Sequence, residues 1–179
     1  MQSISFPCPV PLCEIRHANV SSYLHEYCSG RKVAIITDES VAKLYRHLMP
    51  DGLIISIPAG ESSKSLSMVE SIIGKLIDGG CGRDVLLIGF GGGVVTDICG
   101  LVASIYLRGV DFGLVPTTLL AQIDAAIGGK TGVNHGSLKN MIGTFRLPGF
   151  VICDPLFLET LTQADYLSGL AELVKTALV

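Results

Sequence analysis

A glycine-rich loop, with Gly91, Gly92 and Gly93 at its centre, separates two apolar runs of the chain, 85–88 and 94–107. The first run has the length of a buried strand that ends before the glycines, and the second has the length of a buried helix. A strand, a loop without side chains and a helix N terminus present free backbone N–H groups and the positive end of the helix dipole. The pattern therefore predicts an anion site, for which a diphosphate is the natural ligand.

The glycines alone leave a second interpretation open, a turn that binds nothing. Their spacing also departs from the G-x-G-x-x-G fingerprint, because placing its first two glycines on Gly89 and Gly91 puts Val94 at the third. Asp97 favours a site, since an ionised carboxylate on an otherwise apolar helix is costly unless a specific group pairs with it. Asp124 repeats that pattern among apolar neighbours further along the chain.

Other charged residues fall in segments that we expect to connect strands and helices. Glu61 and Lys64 fit the solvated start of a helix, but strand-to-helix loops are also where ligands bind in open α/β sheets. Lys130 and Lys139 lie in a glycine-rich segment, 128–140, that we expect to form a hairpin-like excursion. Two lysines beside a carboxylate that looks buried suit a phosphorylated substrate.

A last helix is predicted from Thr162 onwards, because residues 162–165 resemble a capping box. Its apolar stripe consists of Leu167, Leu170, Val174 and Leu178. Glu172 and Lys175 fall on another face, where a solvated ion pair is the simplest interpretation. Because the helical pattern still runs at Val179, we expect the sequence to be part of a longer chain, and the exposed stripe to favour self-association.

Strand-like and helical patterns alternate along the chain, which predicts an α/β fold with a mostly parallel sheet covered by helices. The predicted strands are 33–37, 53–57, 85–88, 112–115 and 150–153. The first predicted helix is capped by the segment Asp38-Glu39-Ser40 and runs to about residue 48. The other predicted helices are 65–77, 94–107 with small residues at Gly100, Ala103 and Ser104 for close packing, 117–128, and the last helix.

Composition excludes several classes of protein. The net charge is −3 and no Lys/Arg-rich tract occurs, so we expect no nucleic acid partner. The first charged residue is Glu14 and no uncharged run reaches the roughly 20 residues of a membrane span, so we expect no membrane association and a cytoplasmic location. The cysteines show no C-x-x-C pair and are predicted to be reduced core thiols: Cys8, Cys13, Cys28, Cys81, Cys99 and Cys153.

Six blocks of this sequence resemble the 3-dehydroquinate synthase family. They are Gly91–Asp97, Tyr106–Gly109, Pro116–Asp124, Gly128–Gly132, Lys139-Asn140 and Ala171–Lys175. The resemblance implies a Rossmann-like, NAD-binding α/β domain over residues 1–161. It also implies that residues 162–179 begin the family's C-terminal helical domain, the rest of which this sequence lacks.

The family converts 3-deoxy-D-arabino-heptulosonate 7-phosphate to 3-dehydroquinate and phosphate in the shikimate pathway, using NAD and a divalent metal, zinc or cobalt. The resemblance implies that NAD is held by Asp38, Glu61, Lys64, Gly92, Gly93, Val94, Asp97, Thr117, Thr118, Lys139 and the turn from Phe157 to Thr160. It implies that the phosphorylated heptulosonate is held by Arg108, Asp124, Lys130, Asn140 and Lys175, of which Asp124, Lys130 and Lys175 are catalytic. Glu172 would bind the metal, and the enzyme would be a homodimer.

Ser40 and Thr96 stand where the family commonly has Asn and Gly, which could alter contacts to the cofactor. The histidines (His17, His25, His47 and His135) show no H-x-x-x-H pairing, so Glu172 lacks the partners of a catalytic zinc. We therefore expect no turnover from this chain alone. Two alternatives stay open: a relative, either another sugar-phosphate cyclase or a metal-dependent glycerol or alcohol dehydrogenase, and a nucleotide-binding domain without catalysis. Lys130, Asn140 and the Glu172-x-x-Lys175 motif favour a cyclase.

Overall fold

The computed structural model describes residues 12–15 and 20–178, with side chains from residue 20 onwards. Its strands are β1 (Leu12–Ile15), β2 (Val33–Asp38), β3 (Leu53–Ile57), β4 (Leu86–Gly91), β5 (Asp111–Pro116), β6 (Lys130–His135), β7 (Leu138–Phe145) and β8 (Phe150–Cys153). Six of them form a sheet in the order β1-β8-β5-β4-β2-β3, and every neighbouring pair in it is parallel. β6 and β7 form a separate antiparallel hairpin. The predicted α/β fold with a parallel sheet is confirmed.

Helices connect the strands and cover the sheet. They are α1 (Val20–Cys28), α2 (Glu39–Tyr45), α3 (Leu66–Asp78), α4 (Gly93–Ile105) and α5 (Gln163–Leu178). Short 3₁₀ turns span Arg46–Leu48, Glu61–Ser63, Tyr106–Arg108 and Pro155–Thr160, and a π-helical turn spans Ala121–Ala125. None of the described helices combines the length and the hydropathy that a membrane crossing requires.

Hydrophobic side chains of β2 point alternately into two cores, one on each face of the sheet. Ala34 and Ile36 pack in the core that α3 and α4 cover. Val33 and Ile35 pack in the other core, which includes side chains from α1 and α2 and Phe157. This period-two alternation within a wholly apolar run is what a strand buried on both faces requires.

The strand before the glycine loop is longer than predicted. β4 continues through Gly89 to Gly91, whereas the sequence pattern placed its end at residue 88. The physical reason is that α4 packs closely against this end of the strand. A Cβ on Gly89 would stand 2.8 Å from the Cβ of Cys99, and a Cβ on Gly91 would stand 2.7 Å from the Cβ of Val95. These two glycines therefore belong to the packing of the strand, and the loop begins at Gly92.

α4 also ends earlier than predicted, at Ile105 instead of residue 107. Leu107 and Arg108 both have positive φ angles, 49° and 67°, which are incompatible with a continuing right-handed helix. Gly109 follows with a φ of 120°. The end of the helix is therefore set by three successive residues in the positive-φ region.

The predicted helix over 117–128 is replaced by the short π-helical turn, which we call the π turn (Ala121–Ala125). Gln122 holds it in place, because its Nε2 donates hydrogen bonds to the carbonyl oxygens of Pro116, at 3.2 Å, and Asp154, at 2.8 Å. The turn is thus tied to the carboxyl ends of β5 and β8. Such π turns occur frequently at functional sites.

The predicted hairpin is confirmed, and it packs along α4. Gly100 leaves room for the side chain of Thr131 in β6, since a Cβ at that position would overlap the Thr131 methyl group. Thr144 of β7 donates a hydrogen bond to Ser104 at 2.9 Å, and Arg146 donates to the carbonyl oxygen of Ala103 at 2.5 Å. The small residues predicted to admit a close neighbour do so, and they fix the hairpin beside the helix.

The cysteines whose side chains are described form no disulfide bonds with one another. Cys81, Cys99 and Cys153 are buried and Cys28 is half-buried, as the apolar pattern predicts. Burial raises the pKa of the Cys99 thiol, which keeps it protonated. Cys8 and the side chain of Cys13 lie outside the described part of the chain.

Strand order fixes where a ligand can bind. From β2 the chain moves to β3 on one side and then crosses to β4 on the other, so the direction of strand progression reverses between β2 and β4. Ligands of open α/β sheets bind at the carboxyl ends of the strands beside such a switch point. Asp38 ends β2 and Gly91 ends β4, so both lie at this edge.

Candidate nucleotide-binding site

The N terminus of α4 is the first component of the site. Gly92 is its N-cap residue, and no side chain caps the helix. The neighbouring helices differ, because Asp38 accepts hydrogen bonds from the backbone N–H groups of Ser40 and Val41, and Ser65 accepts one from Met68. The first N–H groups of α4 therefore lie open at the switch point, where an anion can accept from them.

Two threonines at the end of β5 adjoin this loop. The backbone N–H of Thr117 donates to the carbonyl oxygen of Gly91 at 3.0 Å, and its side chain is buried. Thr118 accepts a hydrogen bond from the backbone N–H of Ala121 at 3.2 Å through its Oγ1. A Cβ added to Gly92 would stand 3.0 Å from the Thr118 methyl carbon. Glycine at 92 thus keeps the space between the loop and Thr118 narrow but free of side chains.

An ion pair lies behind the loop. The Lys64 ammonium is 2.5 Å from the carboxylate of Asp97, and the two side chains are 8% and 17% exposed. Burial raises the pKa of the Asp97 carboxyl above its ordinary value of 3.8; Lys64 acts in the opposite direction, while the negative charges of Glu61 and Asp124 add to the rise. Lys64 is the partner that a carboxylate on an apolar helix requires.

A hydrogen-bonded network joins this ion pair to the hairpin. The Lys64 ammonium also donates to the side-chain oxygen of Asn140 at 2.6 Å. The backbone N–H of Asn140 donates to the side-chain oxygen of Asn134 at 2.9 Å, and the Asn134 amide group donates to Glu61 at 2.8 Å. We call Glu61, Lys64, Asp97, Asn134 and Asn140 the polar network. It brings together residues that the family resemblance assigns to cofactor and to substrate.

The expectation that Asp124 is buried is wrong. Its side chain is exposed, because the π turn places it at the open edge of the fold instead of within a packed helix. Its negative charge nevertheless contributes to the raised pKa of Asp97 and to the raised pKa of Lys175. Asp124 therefore stands between the polar network and α5.

Glu172 and Lys175 form the solvated ion pair predicted from their spacing. The Lys175 ammonium donates to the Glu172 carboxylate, and the two side chains are 65% and 32% exposed. This hydrogen bond is the main reason that the pKa of Lys175 is raised. Among the side chains that the structure describes, those of residues 20–178, no three His, Cys, Asp or Glu groups are close enough together to hold a metal ion. Glu172 is thus a lone candidate ligand.

Several predicted site residues do not join these groups. Lys130 and Lys139 are exposed on the hairpin, and neither side chain forms a hydrogen bond or ion pair with another predicted site residue within the described ranges. Arg108 is exposed beyond the C-terminal end of α4, whose 13 residues separate it from the glycine loop by about 20 Å. Arg108 therefore lies far from the glycine loop of the same chain, and its assignment to the substrate stays a prediction.

The turn from Phe157 to Thr160 contributes to the core as well as to the edge. Phe157 is 2% exposed and packs edge-on against Phe90, with ring centroids 5.6 Å apart, and against Tyr45, at 4.9 Å. Thr160 is exposed and hydrogen-bonds to the Tyr45 hydroxyl. A cofactor could therefore contact the exposed part of this turn but not the Phe157 ring.

Asn134 is a member of the polar network that the sequence interpretation did not single out. Asparagine is uncommon within strands, and that is the only signal it gave. Its partners come from a turn before α3 and from the opposite strand of the hairpin, 73 and 6 residues away in the chain. No pattern of local spacing connects such positions.

Comparison with known proteins gives consistent matches. The family model described as 3-dehydroquinate synthase N-terminal matches residues 54–168. The 3-dehydroquinate synthase of Thermococcus kodakarensis is 50% identical over 160 residues, which cover 87% of this chain and 47% of that protein. The chain spans a little under half the length of the curated relatives that it matches.

Two solved structures are also similar. The 2-epi-5-epi-valiolone synthase of Streptomyces hygroscopicus, with NAD+ and Zn2+ bound, is 31% identical with a TM-score of 0.80, over 96% of this chain and 49% of its own. A 2-deoxy-scyllo-inosose synthase complexed with carbaglucose-6-phosphate, NAD+ and Co2+ is 28% identical with a TM-score of 0.78, over 90% of this chain and 47% of its own.

Proposed function

Because the chain belongs to the 3-dehydroquinate synthase family, we propose that it forms the NAD-binding side of an enzyme that converts 3-deoxy-D-arabino-heptulosonate 7-phosphate to 3-dehydroquinate and phosphate. The observation that carries the proposal is the uncapped N terminus of α4 at the switch point of the sheet. An open helix N terminus behind a glycine loop fits a dinucleotide diphosphate. The two solved relatives with NAD+ bound support the same ligand.

Different residues around the loop would bind different parts of NAD. The backbone N–H groups of Gly93 and Val94 would donate to the diphosphate, and Gly92 leaves the space it needs beside Thr118. Asp38 has one carboxylate oxygen engaged in capping α2, which leaves the other for a ribose hydroxyl. NAD, when bound, supplies a hydride acceptor, and the protein supplies position and charge around it.

The substrate side of the site would start at the polar network. Asn140 and Lys64 are hydrogen-bonded to each other, so a group that binds Asn140 lies next to the ion pair of Lys64 with Asp97. Lys175, near Asp124, offers a positive charge at the open edge for a phosphate. On the hairpin we retain Lys130 and Asn140 as candidate contacts to the substrate and Lys139 as a candidate contact to NAD. Asp124, Lys130 and Lys175 remain the candidate catalytic groups.

A divalent metal does not fit the described residues by themselves. A catalytic zinc takes about three protein ligands, and the described part of the chain offers Glu172 without a second ligand beside it. The Zn2+ and Co2+ in the two solved relatives support a metal in the full-length enzyme, with Glu172 as one ligand. The metal would then take the place of Lys175 as the partner of the Glu172 carboxylate.

The level of identity separates the proposed reaction from those of other cyclases. Curated relatives named 3-dehydroquinate synthase are 40–50% identical to this chain, whereas the two cyclases of other names are 28% and 31% identical. Asp124, Lys130 and Lys175, which the resemblance assigns to the substrate, would have no purpose in a domain that only binds a nucleotide. Both observations support the synthase over the alternatives.

Two experiments test the proposal. Calorimetric titration of the chain with NAD measures binding, and the absence of saturable heat would refute the cofactor assignment. Phosphate release by the full-length enzyme from the heptulosonate phosphate, compared with an aldohexose 6-phosphate, tests the reaction. Release from the aldohexose phosphate alone would assign the protein to another cyclase.

A further inference from the structure

We propose that Asn134 is a positioning residue that holds the cofactor residue Glu61 and the substrate residue Asn140 in one arrangement. The proposal rests on the function proposed above, because it concerns the same nucleotide site. Asn134 is half-buried, in the stretch of β6 closest to the start of α3. The side-chain amide of Asn134 is neither acidic, basic nor nucleophilic, so any effect of Asn134 on the site must act through the residues that it contacts.

Every polar group of Asn134 that points toward the network is engaged. Its side-chain amide donates to the Glu61 carboxylate at 2.8 Å, and its side-chain oxygen accepts from the backbone N–H of Asn140 at 2.9 Å. Its backbone N–H donates to the carbonyl oxygen of Lys64 at 2.9 Å. One residue thus ties the turn before α3 to both strands of the hairpin.

The hairpin is irregular at this position. The pairing runs from Val133 opposite Ile142 directly to His135 opposite Leu138, so Asn134 faces a stretch of β7 that contains Lys139 and Asn140. Asn140 has a φ of 56°, the left-handed region that Asn tolerates better than most residues. Bulges of this kind re-aim side chains next to active sites. The hydrogen bond from the Asn140 N–H to Asn134 holds the left-handed residue in place.

Through Asn140 the effect reaches the ion pair. The Asn140 side-chain oxygen accepts from Lys64, whose ammonium also pairs with Asp97. If Asn140 turned away, the 8%-exposed Lys64 would lose one of its two polar partners. Asn134 therefore sets the position of the Lys64 ammonium without touching it, and with it the face that the ion pair presents to the nucleotide.

Replacing Asn134 by Asp separates this role from simple packing. Asn134→Asp keeps the shape and the acceptor for Asn140, but it places a carboxylate 2.8 Å from that of Glu61. Adding Glu61→Gln supplies a donor again and restores the bridge with its polarity reversed. Gln163→Glu, an amide-to-carboxylate change on the exposed first turn of α5, is the control for added charge.

The dissociation constant for NAD is measured by calorimetry for the wild-type chain and each variant, with circular dichroism to verify folding. We expect Asn134→Asp to raise it by about tenfold in the wild-type background, and by less than about twofold when added to Glu61→Gln. Gln163→Glu should change it by less than about twofold. Should Asn134→Asp alone not fold, Asn134→Ser, which removes the donor without adding charge, takes its place beside the double variant.

The outcomes distinguish the two proposals. No NAD binding by the wild-type chain would refute the proposed function, and the role of Asn134 falls with it. Binding by the wild type with equal dissociation constants for Asn134→Asp and the Gln163→Glu control would refute the role of Asn134 alone. A tenfold loss that persists in the Glu61→Gln background would also refute it, because the bridge would then not be the cause.

Discussion

Replacing Gly92 by alanine tests whether the space beside the loop is there for a ligand. The φ of −74° at Gly92 is accessible to any residue, so the change adds no backbone strain. The new Cβ would stand 3.0 Å from the Thr118 methyl carbon, so one of them must shift by a few tenths of an ångström. Because Thr118 also caps Ala121 through its hydroxyl group, it can give way only a little.

The effect on stability should be small and the effect on NAD large. A poorer N-cap residue and the tight methyl contact together should cost about 1 kcal/mol of unfolding free energy. The methyl group enters the space proposed for the diphosphate, where losing one hydrogen bond to a charged group costs about 1.5–3 kcal/mol. That loss corresponds to an increase of about 10- to 100-fold in the dissociation constant for NAD.

The assay is calorimetric titration with NAD next to urea unfolding of the same samples. Gly74→Ala is the matched control, because Gly74 lies inside α3 with no atom within 4 Å of the added Cβ. The control should gain about 0.5–1 kcal/mol of stability and bind NAD as the wild type does. If Gly92→Ala and Gly74→Ala bind NAD equally, the diphosphate does not lie over the Gly92 loop and the reasoning fails.

Three further predictions concern the groups around this loop. The pKa of Asp97 is raised in the folded state, so the folded protein binds more protons than the unfolded chain between pH 3.8 and that raised pKa. The contribution of Asp97 to the free energy of unfolding therefore falls as the pH rises through this range. Urea unfolding at several pH values should therefore show the wild type losing stability relative to Asp97→Asn as pH rises, and a difference that grows in the wild type's favour would contradict the sign. Gly100→Ala should lower the unfolding free energy by about 1–3 kcal/mol, because the added methyl group overlaps Thr131 and this outweighs the better helix propensity of alanine. Unchanged urea unfolding would show that the hairpin can move away. Gln122→Met should cost about 1–3 kcal/mol by leaving the Pro116 and Asp154 carbonyl groups without their donor, and a neutral effect on the melting curve would mean that water replaces it.

The parts of the fold that the sequence predicts well are those decided by local chemistry. The strands at 53–57 and 150–153 have the predicted bounds, because polar or turn-forming residues bracket short apolar runs. The cap of α2 was predictable because a side-chain acceptor, Asp38, stands directly before a helical pattern. In each case the determining residues lie within a few positions of one another.

The errors arise where a distant segment decides the outcome. Gly89 and Gly91 looked like loop residues, but side chains of α4 require them to be glycines within β4. Asp124 looked buried because its neighbours in sequence are apolar, yet Gln122 ties that segment to the ends of β5 and β8 and leaves Asp124 exposed. Tertiary packing overrides the local pattern in both cases.

The ion pair of Lys64 with Asp97 shows how much of a site a sequence can reveal. The cost of a bare carboxylate on an apolar helix predicts that Asp97 has a partner, but not which residue supplies it. The partner comes from the turn before α3, and its position depends on Asn140 and Asn134 of the hairpin. The hairpin in turn can approach only because α4 is narrow at Gly100. The small residues of α4 therefore act at two places, since the glycines at its start leave its N terminus without a side-chain cap and Gly100 admits the strands that position the charges beside it.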